Sequence, residues 1–138
     1  MVMKNFTAVI LAAFAITSFS FSSCKKEVDA HVPPDMAFKT GTIYTSADAT
    51  IGQGDTVTVG IIVTKTEDDL RTFNVSYSYD GGTTTTSSNY TMTTSEYTGY
   101  NHDYQLIARN QAGSEKWTFT VTDRDGNVTQ KSITLAVQ

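Results

Sequence analysis

Acidic side chains are the part of this 138-residue sequence whose types and spacing are best suited to chemistry. Two groups of them lie close in sequence: Glu67-Asp68-Asp69, and the pair Asp123 and Asp125 with the neighbouring amide Asn127. Ca²⁺ prefers several carboxylate and carbonyl oxygens, so the two groups predict a candidate calcium site if the fold brings them together. Its ligands would be Asp68, Asp69, Asp123, Asp125 and Asn127. The alternative, which we favour, is a pair of tight turns in which Asp, Gly and Asn serve backbone geometry.

The same carboxylates are the groups that a hydrolase with paired acids would use. No nucleophile and base can be paired from the sequence, because His31 and His102 lie in separate polar segments outside any recognisable motif. Two histidines and one cysteine are also too few donors to predict a zinc site. We therefore expect no catalytic activity and no cofactor apart from the calcium candidate, and a hydrolase is only the third hypothesis.

Two tyrosines, Tyr97 and Tyr100, lie in a long polar segment at residues 94–103 that is expected to be a loop. Exposed tyrosine rings stack on sugars or anchor a protein partner, so both are candidate ligand-binding residues. The alternative is that they are ordinary surface side chains, while the remaining tyrosines form cross-strand pairs.

The first 23 residues have the pattern of a signal peptide. Lys4 precedes an apolar run from Phe6 to Phe21, and small polar residues, Ser22 and Ser23, then lead directly to Cys24. The run is too short and too polar in its second half for a comfortable membrane span. The sequence thus predicts cleavage before Cys24 rather than a lasting transmembrane helix.

The segment that ends in Ser22-Ser23-Cys24 resembles the lipobox of bacterial lipoproteins, and this resemblance implies that Cys24 carries the lipid. Lys25-Lys26-Glu27 is similar to the export tags of Bacteroidetes-type surface lipoproteins. The resemblance therefore implies an outer-membrane protein anchored by its lipid and exposed at the cell surface, with the periplasmic face as the alternative. Residues 24–35, which include Pro33-Pro34, are expected to form a flexible tether.

Residues 36–138 predict a single all-β domain. Apolar residues recur at period two in short runs separated by turn residues, a pattern typical of strands with one buried face. Seven such runs are expected, at 37–44, 57–63, 70–79, 83–93, 104–108, 117–122 and 133–137. Seven antiparallel strands in about 100 residues is the size of an immunoglobulin-like β-sandwich.

Residues Trp117 to Asn127, the sixth run and the turn after it, resemble the C-terminal hairpin of the Ig-like and PKD-like modules found in Bacteroidetes lipoproteins, a family of unknown function. In a seven-stranded Ig topology both acidic segments and the segment 94–103 lie at one end of the sandwich. The tether would enter at that end if the first strand begins there.

A run of hydroxyl residues, Thr83 to Ser88, has two interpretations. It is either a solvated edge strand, which we favour, or a target for O-glycosylation in an exported protein.

Charge and composition narrow the function. The formal net charge of −4 argues against nucleic acid as a partner. We expect a non-catalytic surface lipoprotein that binds or adheres to glycan or protein ligands and contacts the membrane through its N-terminal lipid. The alternative is a structural or accessory subunit of an envelope complex.

Overall fold

The computed structural model describes residues 30–138. The expected signal peptide at 1–23, the lipidation of Cys24 and the first part of the expected tether lie outside the described residues, so these remain predictions. Within the described part of the chain, no helix is long and apolar enough to cross a bilayer.

Eight strands and one 3₁₀ turn make up the described chain. The strands are β1 (Asp35–Phe38), β2 (Ala49–Ile51), β3 (Thr56–Thr64), β4 (Leu70–Tyr79), β5 (Thr85–Thr91), β6 (Gly99–Ile107), β7 (Gly113–Asp123) and β8 (Val128–Val137), and the 3₁₀ turn is Thr94–Glu96.

The strands form two sheets that pack as a β-sandwich. One sheet has the order β1-β3-β6, and the other has the order β2-β8-β7-β4-β5. In the usual immunoglobulin lettering, β1, β3 and β6 are strands A, B and E. β8, β7 and β4 of the facing sheet are strands G, F and C, and β5 lies beside strand C. The prediction of a single immunoglobulin-like β-sandwich is confirmed.

The structure has one strand more than expected. β2 was not predicted, because a strand of three residues is too short to show a period-two pattern. Its three residues pair in parallel with the end of β8, in a stretch for which no strand was predicted. The first strand is also shorter than expected. After Phe38 the chain stops pairing with β3 and crosses over the outer face of that strand. Lys39 and Tyr44 there cover the buried Gly60.

The core lies where the period-two residues of the two sheets meet. Phe73 of β4 and Phe119 of β7 are almost fully buried, and their ring centroids are 6.4 Å apart. Phe38 of β1 meets Phe119 edge to face at 5.7 Å. Burial of each such side chain stabilises the fold by roughly 1.5–3 kcal/mol. The alternating apolar residues seen in the sequence therefore supply the main stabilising contribution to the sandwich.

The described chain is held against the sandwich before β1 begins. The hydroxyl of Thr66 donates to the carbonyl oxygens of Val32 and Pro33, and Pro34 is buried. Thr66 lies in the turn between β3 and β4, beside the acidic residues. The first strand therefore begins at the end with the acidic loops, which is the condition under which the tether would enter there.

Candidate ligand-binding cleft

The two acidic segments meet at one end of the sandwich, as expected. The amide of Arg124 donates to the carbonyl oxygen of Asp69 at 2.8 Å, which joins the β7–β8 turn to the β3–β4 turn. The segment before β6 lies at the same end, because the amide of Leu70 donates to the carbonyl oxygen of Tyr97 at 2.9 Å.

Positively charged side chains of the protein bind the carboxylates in these turns. The Arg124 guanidinium contacts both Asp68 and Asp125. Lys65 Nζ lies 2.8 Å from Asp69 Oδ1, and this hydrogen bond lowers the pKa of the Asp69 carboxyl. Arg124 and Lys65 thus supply positive charge where a calcium ion would have to supply it.

Asp123 serves the backbone of its own turn. It is buried, and its two carboxylate oxygens accept from the Asn127 amide at 2.8 Å and from Asn127 Nδ2 at 3.0 Å. This is the turn geometry that we favoured as the alternative to a metal site. Among residues 30–138, no group of three or more acidic, His or Cys side chains is arranged to hold a metal ion. Calcium binding remains a prediction, which a thermal melt with calcium and with EDTA tests.

The two candidate tyrosines are in different surroundings. Tyr97 follows the 3₁₀ turn and is 36% exposed, whereas Tyr100 is only 8% exposed. Tyr100 lies in β6 and pairs with Val63, so the expectation that it lies in a loop was wrong. The fifth strand starts five residues earlier than predicted, at Gly99, because its inward positions before Leu106 hold Tyr100, His102 and Tyr104 in place of aliphatic residues.

Tyr100 belongs to a cleft on the side of the sandwich, between the edge strands β5 and β6. Its volume is about 220 Å³. We call it the tyrosine cleft, and its lining residues are Ser88, Tyr90, Glu96, Tyr100, His102 and Tyr104. Because neither β5 nor β6 has a neighbour on this side among the described strands, the inner faces of the two sheets are accessible there.

Aromatic rings form one wall of the cleft. Tyr100 stacks against Tyr90 at a centroid distance of 5.6 Å and an interplanar angle of 25°, and against His102 at 5.8 Å and 9°. His102 also contacts Tyr104 at 4.6 Å. His102 is exposed, while Tyr90 and Tyr104 are half-buried. The wall therefore presents ring surface to solvent from both edge strands.

Glu96 supplies the negative charge of the cleft. Its Oε2 accepts from the Tyr90 hydroxyl at 2.8 Å, from the Thr93 amide at 2.8 Å and from the Thr93 hydroxyl at 2.7 Å. These hydrogen bonds, chiefly those from Thr93, lower the pKa of the Glu96 carboxyl. Its other oxygen, Oε1, receives no hydrogen bond from the described residues and is free to accept one.

The phenols of the cleft stay protonated near neutral pH. Burial raises the pKa of Tyr100 and of Tyr104, and the hydrogen bond to Glu96 raises that of Tyr90. The Tyr100 and Tyr104 hydroxyls are hydrogen-bonded to each other at 2.9 Å. No Lys or Arg among the described residues lines the cleft, so it offers ring faces, the His102 imidazole, neutral hydroxyls and one carboxylate.

Sequence reasoning missed most of this cleft. Tyr100, His102 and Tyr104 at period two were a usable signal for a strand that begins before Tyr104. Thr93 and Glu96 have the spacing of a capping box, which would have placed a turn there. No local pattern could have brought Tyr90 to Glu96, since that contact depends on how β5 leads into the turn.

A second polar cluster, at the opposite end of the sandwich, was also missed. Glu115 is completely buried and accepts from the Arg109 amide at 2.8 Å and from Trp117 Nε1 at 3.2 Å. The Arg109 guanidinium reaches Asp80 Oδ2 at 2.7 Å and lies 4.7 Å from the centre of the Tyr79 ring. This cluster ties β4, β7 and the turn after β6 together, and its role is structural.

Comparison with known proteins adds little to this picture. No family model matches the chain, and no curated protein matches it. Among solved structures, a CARDB domain from Pyrococcus furiosus, crystallised in complex with di-metal ions, is 15% identical, with 76% of this chain and 96% of that chain covered and a TM-score of 0.45.

A β-glucosidase from Listeria innocua, crystallised with glucose, is 9% identical with a TM-score of 0.44. The match covers 75% of this chain but only 16% of that enzyme. At these TM-scores neither match carries an argument about function.

Proposed function

We propose that this protein is a non-catalytic binding module whose tyrosine cleft holds a neutral sugar residue of a glycan. The observation that carries the proposal is the accessible wall of Tyr90, Tyr100, His102 and Tyr104 beside the carboxylate of Glu96.

The chemistry of the cleft matches that of a sugar. The apolar face of a sugar ring packs on aromatic side chains, which combine a large contact area with a polar edge. Glu96 Oε1 and the tyrosine hydroxyls can exchange hydrogen bonds with sugar hydroxyls at the rim. A cleft of about 220 Å³ suits one or two sugar rings rather than a long chain.

Charge narrows the class of glycan. The cleft contains an ionised carboxylate and no Lys or Arg among the described residues, so an anionic sugar would meet repulsion from Glu96 that no Lys or Arg offsets. We therefore expect neutral sugars to bind in preference to sugars that carry carboxylate or sulfate groups.

The proposed location follows from the sequence. Cys24 is the proposed lipid anchor, and Val32 is already bound to the sandwich. The eight residue-to-residue steps from Cys24 to Val32 reach at most about 26 Å at about 3.3 Å per step. The module would thus sit close to the outer membrane, with its acidic turns towards the bilayer.

The test is a glycan array followed by calorimetric titration of each hit, with residues 25–138 as the soluble form. Tyr90→Ala removes one ring of the cleft and is expected to weaken binding by about tenfold, the result of losing roughly 1.4 kcal/mol. Tyr97→Ala removes an exposed tyrosine outside the cleft and is the matched control.

Two results would contradict the proposal. One is an array that stays blank with protein shown to be folded by its thermal melt. The other is a hit whose affinity falls equally in Tyr97→Ala and Tyr90→Ala. A blank array together with a stoichiometric envelope partner in pull-downs would favour the accessory-subunit alternative.

A further inference from the structure

The tyrosine cleft has one feature that a neutral sugar does not require, the full negative charge of Glu96. A sugar hydroxyl can donate to a neutral acceptor as well as to a charged one, so binding of a neutral sugar does not depend on an ionised carboxylate. Glu96 Oε1 receives no hydrogen bond from the described residues. A ligand that uses this charge must be a cation.

The tyrosine rings are placed to hold a cation. The electron-rich face of a tyrosine ring attracts a cation within about 6 Å of the ring centre. The centroids of Tyr90 and Tyr100 are 5.6 Å apart, so a cation that rests on the wall between them lies within reach of both rings. Tyr104 belongs to the same wall, because its hydroxyl is 2.9 Å from that of Tyr100.

The carboxylate lies directly beside these rings. Glu96 Oε2 accepts from the Tyr90 hydroxyl at 2.8 Å. Burial first, and the nearby charge of Glu96 in addition, raise the pKa of the Tyr100 phenol, so the charge acts across the cleft. No Lys or Arg among the described residues lines the cleft. A cation there would meet one negative charge that no Lys or Arg offsets.

The surroundings of Glu96 distinguish between kinds of cation. Ca²⁺ and Mg²⁺ need several oxygen ligands, and among residues 30–138 no group of three or more acidic, His or Cys side chains is arranged to hold a metal ion. A primary ammonium such as that of lysine is compact and strongly hydrated. A methylated ammonium keeps its charge and has methyl surface that packs on aromatic rings.

We propose that the tyrosine cleft binds an organic cation whose nitrogen carries methyl groups, the chemistry of choline. Its methyl groups would pack on Tyr90 and Tyr100, and its charge would face Glu96. The volume of about 220 Å³ suits such a small ligand, and the net charge of −4 favours the approach of a cation. The inference goes beyond the sugar proposal and does not rest on it. A cation and a sugar that both bind would compete for the same rings.

Calorimetric titration with choline tests the proposal, with the chain as cells produce it, purified in a nonionic detergent. The control ligand is the alcohol in which a tert-butyl group replaces the trimethylammonium group, because it keeps the shape of choline and lacks the charge. We expect choline to bind at least about tenfold more tightly than this alcohol. The titrations are made at pH 8, since a protonated imidazole would compete with the ligand for the carboxylate.

A change of charge provides the second arm. Glu96→Gln keeps an oxygen that can accept from Thr93 and Tyr90, and it should weaken choline binding by about tenfold while binding of the alcohol stays the same. Glu67→Gln is the matched control, because it removes an exposed carboxylate outside the cleft. Thermal melts establish that each variant is folded before it is titrated.

A change of ring provides the third arm and does not depend on how Glu96→Gln folds. Tyr90→Phe keeps the ring, whereas Tyr90→Leu replaces it with an apolar side chain that has no electron-rich face. Both variants lose the hydroxyl that donates to Glu96, so only the ring distinguishes them. We expect choline to bind about fivefold more tightly to Tyr90→Phe than to Tyr90→Leu.

Three results would overturn the proposal: folded chain that does not bind choline, equal affinities for choline and the alcohol, or equal losses in Glu96→Gln and Glu67→Gln. A blank glycan array would leave it standing, so its failure and that of the sugar proposal are distinguishable. Glycerophosphocholine, titrated in parallel, identifies the source of the cation. Affinity equal to that of choline assigns it to a lipid headgroup, and weaker affinity assigns it to a free amine, with the proposal supported in both cases.

Discussion

Glu115 shows how a single buried charge shapes this sandwich. Its side chain is 0% exposed, and its partners are the Arg109 amide, Trp117 Nε1 and the Arg109 Nε at 3.8 Å. A buried carboxylate is costly unless it is paired and hydrogen-bonded, and these three groups fulfil that condition. In return, Glu115 fixes the start of β7 against the turn that leaves β6.

Removal of the Glu115 carboxylate should therefore destabilise the fold strongly. We expect Glu115→Ala to lower the free energy of unfolding by about 3–5 kcal/mol, because it leaves the Arg109 amide and the Trp117 N–H without their acceptor and removes one of the two carboxylates beside the Arg109 guanidinium. Denaturant unfolding of the purified chain measures the change. Asp125→Asn, an exposed acid in the β7–β8 turn, is the control and should change stability by less than about 1 kcal/mol. A loss from Glu115→Ala as small as that of the control would show that the cluster contributes no net stability.

At the scale of elements, the chain between β1 and β2 shows why one glycine is required in β3. A Cβ at Gly60 would lie 2.8 Å from Lys39 Cβ and 2.8 Å from the Tyr44 ring. Lys39 and Tyr44 are held there by hydrogen bonds to Asp103 of β6, at 2.6 Å and 3.1 Å. The crossing segment thus seals the outer side of β3 and β6 only because residue 60 has no side chain.

We predict that Gly60→Ala displaces this segment and destabilises the fold by about 1–3 kcal/mol, the usual cost of overpacking. The matched control is Gly99→Ala in β6, where the nearest atom to the new Cβ would be the Val63 carbonyl oxygen at 3.4 Å. Thermal melts of the two variants give the comparison. Equal midpoints would mean that Lys39 and Tyr44 move aside at little cost.

The sequence predicted those elements whose apolar residues alternate without interruption. β4 was expected at residues 70–79 and lies there, since Phe73 and Val75 face the core with polar neighbours between them. β6 was shortened in the prediction because its inward residues before Leu106 are Tyr100, His102 and Tyr104, which are as common at a surface as in a core.

The candidate site was less predictable because it depends on contacts between distant segments. The meeting of the acidic turns followed from the Ig topology alone. Arg124 was not considered as their partner, although it lies between Asp123 and Asp125 and binds Asp68. The tyrosine cleft exists because β5 and β6 both end their sheets, and sheet order cannot be deduced from the period of single strands.

At the scale of the whole molecule, carboxylates held by hydrogen bonds and ion pairs make stability depend on pH. Within residues 30–138, four carboxylates have a lowered pKa: Asp69, Asp80, Glu96 and Asp103. For Asp80 the first cause is the hydrogen bond from the Ser114 amide, and the second is the bond from Arg109. A group with a lower pKa in the folded chain takes up protons more readily when the chain is unfolded. Its stabilising contribution is therefore present above the unfolded pKa and is lost as the pH falls through the folded one.

We predict that the free energy of unfolding is nearly constant down to about pH 5 and falls steadily below the ordinary values of 3.8 for Asp and 4.5 for Glu. Denaturant unfolding at intervals between pH 7 and pH 2.5 gives the profile. Asp80→Asn should make the chain less stable at pH 7 and flatten the acid limb, because the amide cannot titrate. Asn also tolerates the positive φ of 52° at this position, so the backbone stays in place. Ser132→Asn introduces an amide without removing a carboxylate and should reproduce the parent profile. An acid limb equally steep in Asp80→Asn would place the pH dependence in other groups.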